Sequence, residues 1–387
     1  MQPRMSKNPL AVRRRPAWAV LAALACAGLA PAAAPPVPRP SAKQLEKLVA
    51  DLGADEFATR ERAQRALMAV GAEAVPALRS AVDDPDPEVR RRATEIASAA
   101  EKRAAAIFQA LGADVLWRTR GHVDAISFFG RDASRLKTAH LRELIGFAWL
   151  HQVNLAATPI GDDDLVPLGR LHALTYLSLE NTKVTDAGLA HLAGLVKLEY
   201  LSLDRTRVAG RSLVHLAGMR RLKTLELARS RVTDSGLAVG IRGLEGLTRL
   251  EDLTLDGTRI TDDGLACLKV VKTPLHLQLS DTRISDAGLV HLEAVPNLVS
   301  LGLNDTAVTD AGCRTLRSIK TLEVILLDRT RVTVAGLRLL RNMPRLRAVN
   351  IRDTPVTKAQ ARELMRVMPR RVDVLGNYFT VGGQSAD

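Results

Sequence analysis

The sequence predicts an α/β fold in which one strand–turn–helix unit is repeated many times to form a solenoid. Three observations lead to this prediction: a period of 24 residues, apolar alternation in the first half of each period, and helical apolar spacing in the second half. A hydroxyl residue marks the period at Thr158, Thr182, Thr206, Ser230, Thr258, Thr282, Thr306, Thr330 and Thr354. One step, from Ser230 to Thr258, is 28 residues long, which indicates a four-residue insertion within "GIRGLEGLTR".

The first half of each unit has the period-two pattern of a short strand. Leu177 and Leu179 are separated by one residue, so their side chains would point to the same side of a sheet. The motif returns 24 residues later as Leu201 and Leu203. One strand per unit predicts a parallel sheet in which the leucines point inward and the intervening residues face outward.

The second half of each unit has the spacing of a short helix. Leu189, Leu192 and Leu195 recur every third residue and define one helix face. Before them, Thr185 is typical of an N-cap, and Asp186 places negative charge in the first turn, near the positive end of the helix dipole. The same helix start recurs at Thr233-Asp234, Thr261-Asp262, Ser285-Asp286 and Thr309-Asp310.

These motifs resemble the leucine-rich repeat. The unit reads L-x-x-L-x-L-x-x-T-x-V, and the trailing "VTDAGL" is most similar to the cysteine-containing subfamily of that repeat, over about residues 123–378. The departure is Thr where the family has Asn or Cys, and we expect its hydroxyl to bond a neighbouring turn. The resemblance implies a right-handed solenoid with a parallel inner sheet and outer helices, occupying 113–387 with degenerate caps. It also implies a protein ligand, because such ligands are usual in the family.

Three segments precede the predicted solenoid. Residues 1–32 have the charged start, short apolar stretch and small-residue cleavage motif of a signal peptide, followed by a Pro-rich linker at 33–40. Export to the periplasm or the cell exterior is therefore predicted, and contact with a membrane is expected only if this segment stays uncleaved. The segment 41–112 has helical apolar spacing broken at Asp84-Pro85-Asp86-Pro87, which resembles a HEAT repeat and predicts a small all-α module.

The charge distribution locates the basic residues of the chain, and the positions of the cysteines argue against a disulfide. The net charge is +13, and residues 1–32 carry five basic and no acidic residues, so the chain without them is about +8 (13 − 5). The segment 41–112 is nearly neutral, which places the basic excess in the solenoid. Cys267 and Cys313 stand at unrelated positions of different repeats, so we expect packing roles and no disulfide.

The outward-facing residues of the predicted inner sheet are the first candidate binding site. Two adjacent tyrosines stand beside several carboxylates, and aromatic residues are typical anchors of protein interfaces. The alternative is an ordinary solvated strand face. The candidate partner-binding residues are Tyr176, Glu180, Tyr200, Asp204, Glu226, Asp252, Asp256 and His276.

A basic row directly after the Thr marks is the second candidate. It comprises Lys183, Arg207, Arg231, Arg259, Arg283 and Arg331. Such a row could hold an anionic envelope polymer, whereas single-stranded nucleic acid is disfavoured because no aromatic ladder accompanies it. The competing interpretation is a mixed-charge rim, in which Glu180, Asp204, Asp256 and Asp328 pair with these cations across strands.

No catalytic motif is recognised, so a non-enzymatic protein without a cofactor is predicted. A recurring helix position holds His191, His215, Cys267 and His291, but these residues would lie along a row with no third ligand converging on any two of them. We therefore predict no metal site. The function predicted overall is an exported binding scaffold, with an envelope structural protein and an adaptor subunit of a larger complex as alternatives.

Overall fold

The computed structural model describes residues 40–118, 122–130, 133–147, 149–366, 372–376 and 379–381. The described residues from Ala42 onward form one compact unit. The predicted signal peptide and almost all of the Pro-rich linker lie outside the described residues, so export stays a prediction. Among the helices that are described, none combines the length and the apolar character needed to cross a bilayer.

Helices precede the sheet. They are α1 (Ala42–Ala50), α2 (Phe57–Val70), α3 (Val75–Leu78) and α4 (Pro87–Ala110), with 3₁₀ turns at Asp51–Gly53, Gly71–Ala74 and Ala81–Asp83. Helix α4 begins at the predicted break because Pro87 suits the first turn and the carboxylate of Asp86 accepts a hydrogen bond from the Glu88 amide. A small core of Leu52, Leu67 and other apolar residues joins these helices. The resemblance to a HEAT repeat and the boundary at residue 113 stay predictions.

The sheet confirms the predicted solenoid. In the described part of the chain, thirteen strands follow one another in sequence order, and all neighbours from β2 to β12 are parallel. Strands β1 and β13 pair antiparallel at the two edges. The strands are β1 (Asp114–Trp117), β2 (Val123–Ser127), β3 (Gln152–Asn154), β4 (Tyr176–Ser178), β5 (Tyr200–Ser202), β6 (Thr224–Glu226), β7 (Asp252–Thr254), β8 (Leu275–Gln278), β9 (Leu298–Gly302), β10 (Val324–Leu326), β11 (Ala348–Asn350), β12 (Asp373–Gly376) and β13 (Phe379–Val381).

A short helical segment follows each strand of the repeat array. The α-helices are α5 (Thr138–Leu141), α6 (Leu165–Leu168), α7 (Asp186–Leu189), α8 (Asp234–Gly246), α9 (Leu289–Leu292), α10 (Asp310–Leu316), α11 (Val334–Leu340) and α12 (Lys358–Met365). The 3₁₀ segments are Arg142–Gly146, Asp162–Asp164, Ala190–Leu192, Arg211–Leu216 and Asp262–Val270. The four-residue insertion falls in α8, which at 13 residues is longer than its counterparts. Strands β6 and β7 on either side still pair residue for residue.

The leucines form one continuous spine, as predicted. Leu177, Leu179, Leu201 and Leu203 are fully buried, and the same cluster runs from Ala104 to Val374. The end of α4 belongs to this spine: the ring of Phe108 lies 6.3 Å from that of Phe128 and 6.1 Å from that of Phe147. The N-terminal helices therefore cover the first repeat, sharing its core.

The hydroxyls that mark the repeat close the turn of their own unit. The Thr182 hydroxyl donates to the Leu179 carbonyl at 2.7 Å, and Thr206 repeats the bond with Leu203 at 2.6 Å. The predicted bond to a neighbouring turn is therefore wrong, because the carbonyl three residues earlier in the same unit is the nearer acceptor. Each turn passes through a left-handed residue immediately before the hydroxyl, such as Arg205 with φ 55°.

The aspartate of each "TD" motif links consecutive repeats. Asp262 accepts the Ser285 amide at 2.8 Å with one oxygen and the Ser285 hydroxyl at 2.5 Å with the other. A Cβ at Gly288 would overlap this carboxylate, which explains the glycine that closes the motif. The same two bonds join the pairs Asp162–Thr185, Asp234–Thr261, Asp286–Thr309 and Asp310–Thr333.

Candidate functional site

The sheet register aligns the predicted partner-binding residues on one face. Tyr176, Tyr200, Asp252 and His276 occupy the first paired position of their strands, and Tyr176 pairs with Tyr200 while Asp252 pairs with His276. Glu226 occupies the third position of β6. The others lie two residues beyond a strand end: Glu180, Asp204 and Asp256.

Two tyrosines stack against each other on this face. The rings of Tyr176 and Tyr200 stack with centroids 4.4 Å apart and planes only 4° from parallel. The Tyr200 hydroxyl donates to a carboxylate oxygen of Glu226, and this bond fixes the ring of Tyr200. Burial raises the pKa of both phenols, so they stay neutral at physiological pH. We call Tyr176, Tyr200, Glu180 and Glu226 the tyrosine patch.

Two of the predicted carboxylates are partly engaged by the scaffold. One oxygen of Asp204 accepts the Ala228 amide at 2.6 Å, and one oxygen of Asp256 accepts the Ser280 amide at 2.6 Å. Asn304 makes the same contact from the equivalent position of its repeat. Burial raises the pKa of Asp204 to about 6 and raises that of Asp256, so these groups are less acidic than ordinary surface carboxylates.

The remaining two predicted residues lie beside the tyrosine patch. The Thr224 hydroxyl contacts a carboxylate oxygen of Asp252 at 3.3 Å, and Thr224 itself pairs with Tyr200 across strands. His276 is exposed on the next strand. Tyr176, Tyr200, Thr224, Asp252 and His276 pair in turn across neighbouring strands and therefore form one continuous row across the inner sheet.

The basic row is not neutralised as the mixed-charge interpretation expected. Within the described residues, no ion pair joins Lys183, Arg207, Arg231, Arg259, Arg283 or Arg331 to any carboxylate. The expected pairing is wrong, and three of the four carboxylates turn toward backbone amides: Asp328, like Asp204 and Asp256, accepts the amide of the following repeat.

Four residues of the row and two further arginines line a single groove. Arg205 and Arg229 occupy the left-handed turn position, which brings their side chains beside those of the row. The cavity that they line has a volume of ≈ 600 Å³. We call Lys183, Arg205, Arg207, Arg229, Arg231 and Arg259 the basic groove.

The row considered for metal binding lies on the outer helical segments. His191 and His215 are exposed there, whereas His291 and Cys267 are half-buried. Across the described ranges, no group of three or more ligating side chains comes close enough to hold a metal ion. Cys267 and Cys313 do not form a disulfide, and burial raises the pKa of the Cys313 thiol to about 12.

A cleft between the N-terminal helices and the first repeats was not predicted. Two adjoining cavities of ≈ 530 and ≈ 400 Å³ share Val82, Asp83 and Trp149 in their walls. His122 contacts the buried carboxylate of Glu101 at 3.0 Å and stacks on Trp149, with ring centroids 4.0 Å apart.

A second histidine–carboxylate pair lines the same cleft. His151 contacts Asp124 at 2.9 Å, and Asp124 also pairs with Arg118 at 2.7 Å. Both histidines use Nδ1 for these contacts. The signal that could have indicated the cleft is Trp149, an aromatic residue in a part of the chain that departs from the repeat consensus.

The parallel sheet with one strand per unit, the helical segment after each strand and the continuous leucine spine define a leucine-rich-repeat solenoid. No protein-family model matches the chain, and no curated protein matches it. Similar solved structures include an internalin (inlF) from Listeria monocytogenes, 20% identical, with a TM-score of 0.48, covering 63% of this chain and 64% of that one.

Two further structures are similar. A leucine-rich-repeat protein from Leptospira interrogans is 15% identical, with a TM-score of 0.41, covering 61% of this chain and 62% of that one. An internalin C2 (inlC2) from Listeria monocytogenes is 22% identical, with a TM-score of 0.41, covering 56% of this chain and 84% of that one. The match thus spans less than two thirds of the length of the first two structures. The assignment of the fold rests on the repeat geometry of this chain.

Proposed function

We propose that this protein is a non-enzymatic scaffold that binds a protein partner through the inner face of its solenoid. The observation that carries the proposal is the stacked pair Tyr176 and Tyr200. Only three tyrosines occur in the whole chain, and two of them are paired across neighbouring strands on this face. Stacked aromatic side chains supply a large contact area with little loss of side-chain entropy on binding.

The surroundings of the pair favour a basic segment of the partner. Glu226 accepts the hydroxyl hydrogen bond of Tyr200, Glu180 follows the strand that carries Tyr176, and within the described residues neither glutamate forms an ion pair. A lysine or arginine of the partner could lie over a tyrosine face while its charge is balanced by these carboxylates. The partner would then be a protein with an exposed cationic loop or strand.

The rigid backbone beneath the patch supports binding without rearrangement. Leu203 and Leu179 donate their amides to carbonyls of the following repeat at 2.8 and 2.9 Å, so the strand ends are fixed on both sides. A preorganised surface avoids part of the ordering cost of association. Export of the protein remains part of the proposal and rests on the sequence of residues 1–32.

The test is capture of proteins by the immobilised protein from envelope and secreted fractions, with and without Tyr176→Ala and Tyr200→Ala in combination. We expect a discrete set of proteins to bind the unchanged protein, and the double variant to lose at least tenfold in affinity for them, because hot-spot tyrosines contribute about 2 kcal/mol or more. The control is Val324→Ala, which removes a side chain from the same strand position near the other end of the sheet. Equal capture by the double variant and the control would remove the patch from the proposal.

A further inference from the structure

The basic groove has no role in the proposed capture of a protein. Its walls come from successive turns between Thr158 and Arg259, and no lining side chain is acidic. Each of its six cations is exposed or faces the cavity, and none forms an ion pair within the described part of the chain. An unneutralised cluster of this density on a folded surface indicates a site for an anion.

The backbone holds these cations close together. The Arg207 amide donates to the Val184 carbonyl at 2.9 Å, and the Arg231 amide donates to the Val208 carbonyl at 2.9 Å, so each row position is tied to the preceding repeat. The Arg205 amide donates to the Ala228 carbonyl of the following repeat at 2.7 Å. Neighbouring strands lie about 4.8 Å apart, and like charges at this spacing repel. Bound anions would relieve that repulsion.

Positive charge is less dense beyond the groove, where Arg283 and Arg331 are the remaining cations of the row. The adjoining cavity toward the C-terminus contains Asp256, Asp281 and Asp305, and Arg329 there pairs with Asp305 at 2.5 Å. Arg229 borders both cavities. Further along the row, Ala307 replaces the cation. The anion site is therefore limited to the repeats that carry the basic groove.

We propose that the basic groove binds a linear anionic polysaccharide. The cations follow one another along the solenoid, which suits a polymer whose negative groups recur along its chain. Arginine side chains bind carboxylate and sulfate groups through paired N–H donors. No aromatic residue lines the groove, so the bases of a nucleic acid would find no stacking partner. The amide of Asn181 can bond sugar hydroxyls.

The experiment measures binding of labelled polygalacturonate and dextran sulfate to the full chain at several salt concentrations. Uncharged dextran and a single-stranded oligodeoxynucleotide are the comparison polymers. The groove variant is Arg205→Asn with Arg207→Ala, because Asn is tolerated at the left-handed position and alanine stands naturally at residue 307. The matched control is Arg329→Asn with Arg331→Ala, which removes two charges from the same two turn positions outside the groove.

We expect binding of one or both acidic polysaccharides, with a slope of log K against log salt of about −4 for six cations engaged. The affinity of the groove variant should be at least about tenfold lower, and the magnitude of its slope should fall by roughly 1.4. The affinity of the control should stay within about twofold of that of the unchanged protein. The preferred polymer identifies carboxylate or sulfate as the recognised group.

Three results would overturn the proposal. Equal losses in the groove variant and the control would mean attraction by overall charge and no defined site. Tighter, groove-dependent binding of the oligodeoxynucleotide would assign the site to nucleic acid. Failure of the unchanged protein to bind either acidic polysaccharide at low salt would exclude the ligand class.

Discussion

Replacement of Asp262 by alanine is expected to destabilise the solenoid by about 3 kcal/mol more than replacement of its neighbour Asp263. Asp262 accepts two hydrogen bonds from Ser285 of the next repeat, whereas the carboxylate of Asp263 is exposed and makes no hydrogen bond or ion pair within the described residues. Both residues place a negative charge in the first turn of the Asp262–Val270 segment. The interaction with the helix dipole is therefore lost in both variants and cancels in the comparison.

The magnitude follows from the two bonds. A hydrogen bond to an ionised group contributes about 1.5–3 kcal/mol, and Asp262 is half-buried, so the lower value applies to each bond. Their sum is about 3 kcal/mol. The variant Asp262→Asn keeps an oxygen for the Ser285 amide and should fall between the two alanine variants.

The assay is urea unfolding followed by circular dichroism, with native-state hydrogen exchange of the Ser285 amide as a local readout. Hydrogen exchange is needed because a long repeat array can unfold in parts, which complicates a single unfolding free energy. A difference below about 1 kcal/mol between the alanine variants, with unchanged exchange at Ser285, would refute the assignment of Asp262 as the link between repeats.

Two further predictions follow from packing and from charge. Gly243→Ala should destabilise the protein by about 3 kcal/mol or more, because the added Cβ would overlap the Leu213 carbonyl oxygen. The control is Gly161→Ala, which has open space around it and should lower the melting temperature by no more than a few degrees. Asp204 has a pKa raised above its unfolded value, so the folded state binds more protons and the free energy of unfolding should fall as pH rises from about 4 to 6. After allowing for partial exposure, we place this pH dependence at about 1 kcal/mol. Asp204→Asn keeps an acceptor for the Ala228 amide and should remove the dependence. Unfolding curves recorded at pH 4, 5, 6 and 7 measure it.

The architecture was predictable because the repeat is written directly in the sequence. Leu177 and Leu201 stand 24 residues apart, and the sheet pairs them directly. The role of Asp262 was not predictable in full, because a local explanation at the helix start already accounts for an aspartate there. Its partner Ser285 lies 23 residues away, and only the stacking of repeats brings the two together.

The candidate sites were predictable in part. Tyr176 and Tyr200 share one register position, so their adjacency follows from the period, whereas the diagonal contact of Tyr200 with Glu226 depends on side-chain conformations. The expected cross-strand pairing of Asp204 with a cation of the basic row failed because the turn directs the carboxylate to the Ala228 amide. The cleft beside Trp149 could not be predicted, because its walls come from segments with no common pattern.

The extra turn in α8 has a consequence for how this molecule could change over evolutionary time or be engineered. Additional residues there leave Thr224 and Asp252 paired as though nothing had been inserted. Distance along the array is thus set by the hydrogen-bonded strands, one per repeat, and the number of residues in a repeat can vary on the helical side. Cargo such as an epitope or a fluorophore attached to that side would leave the geometry of the opposite wall intact.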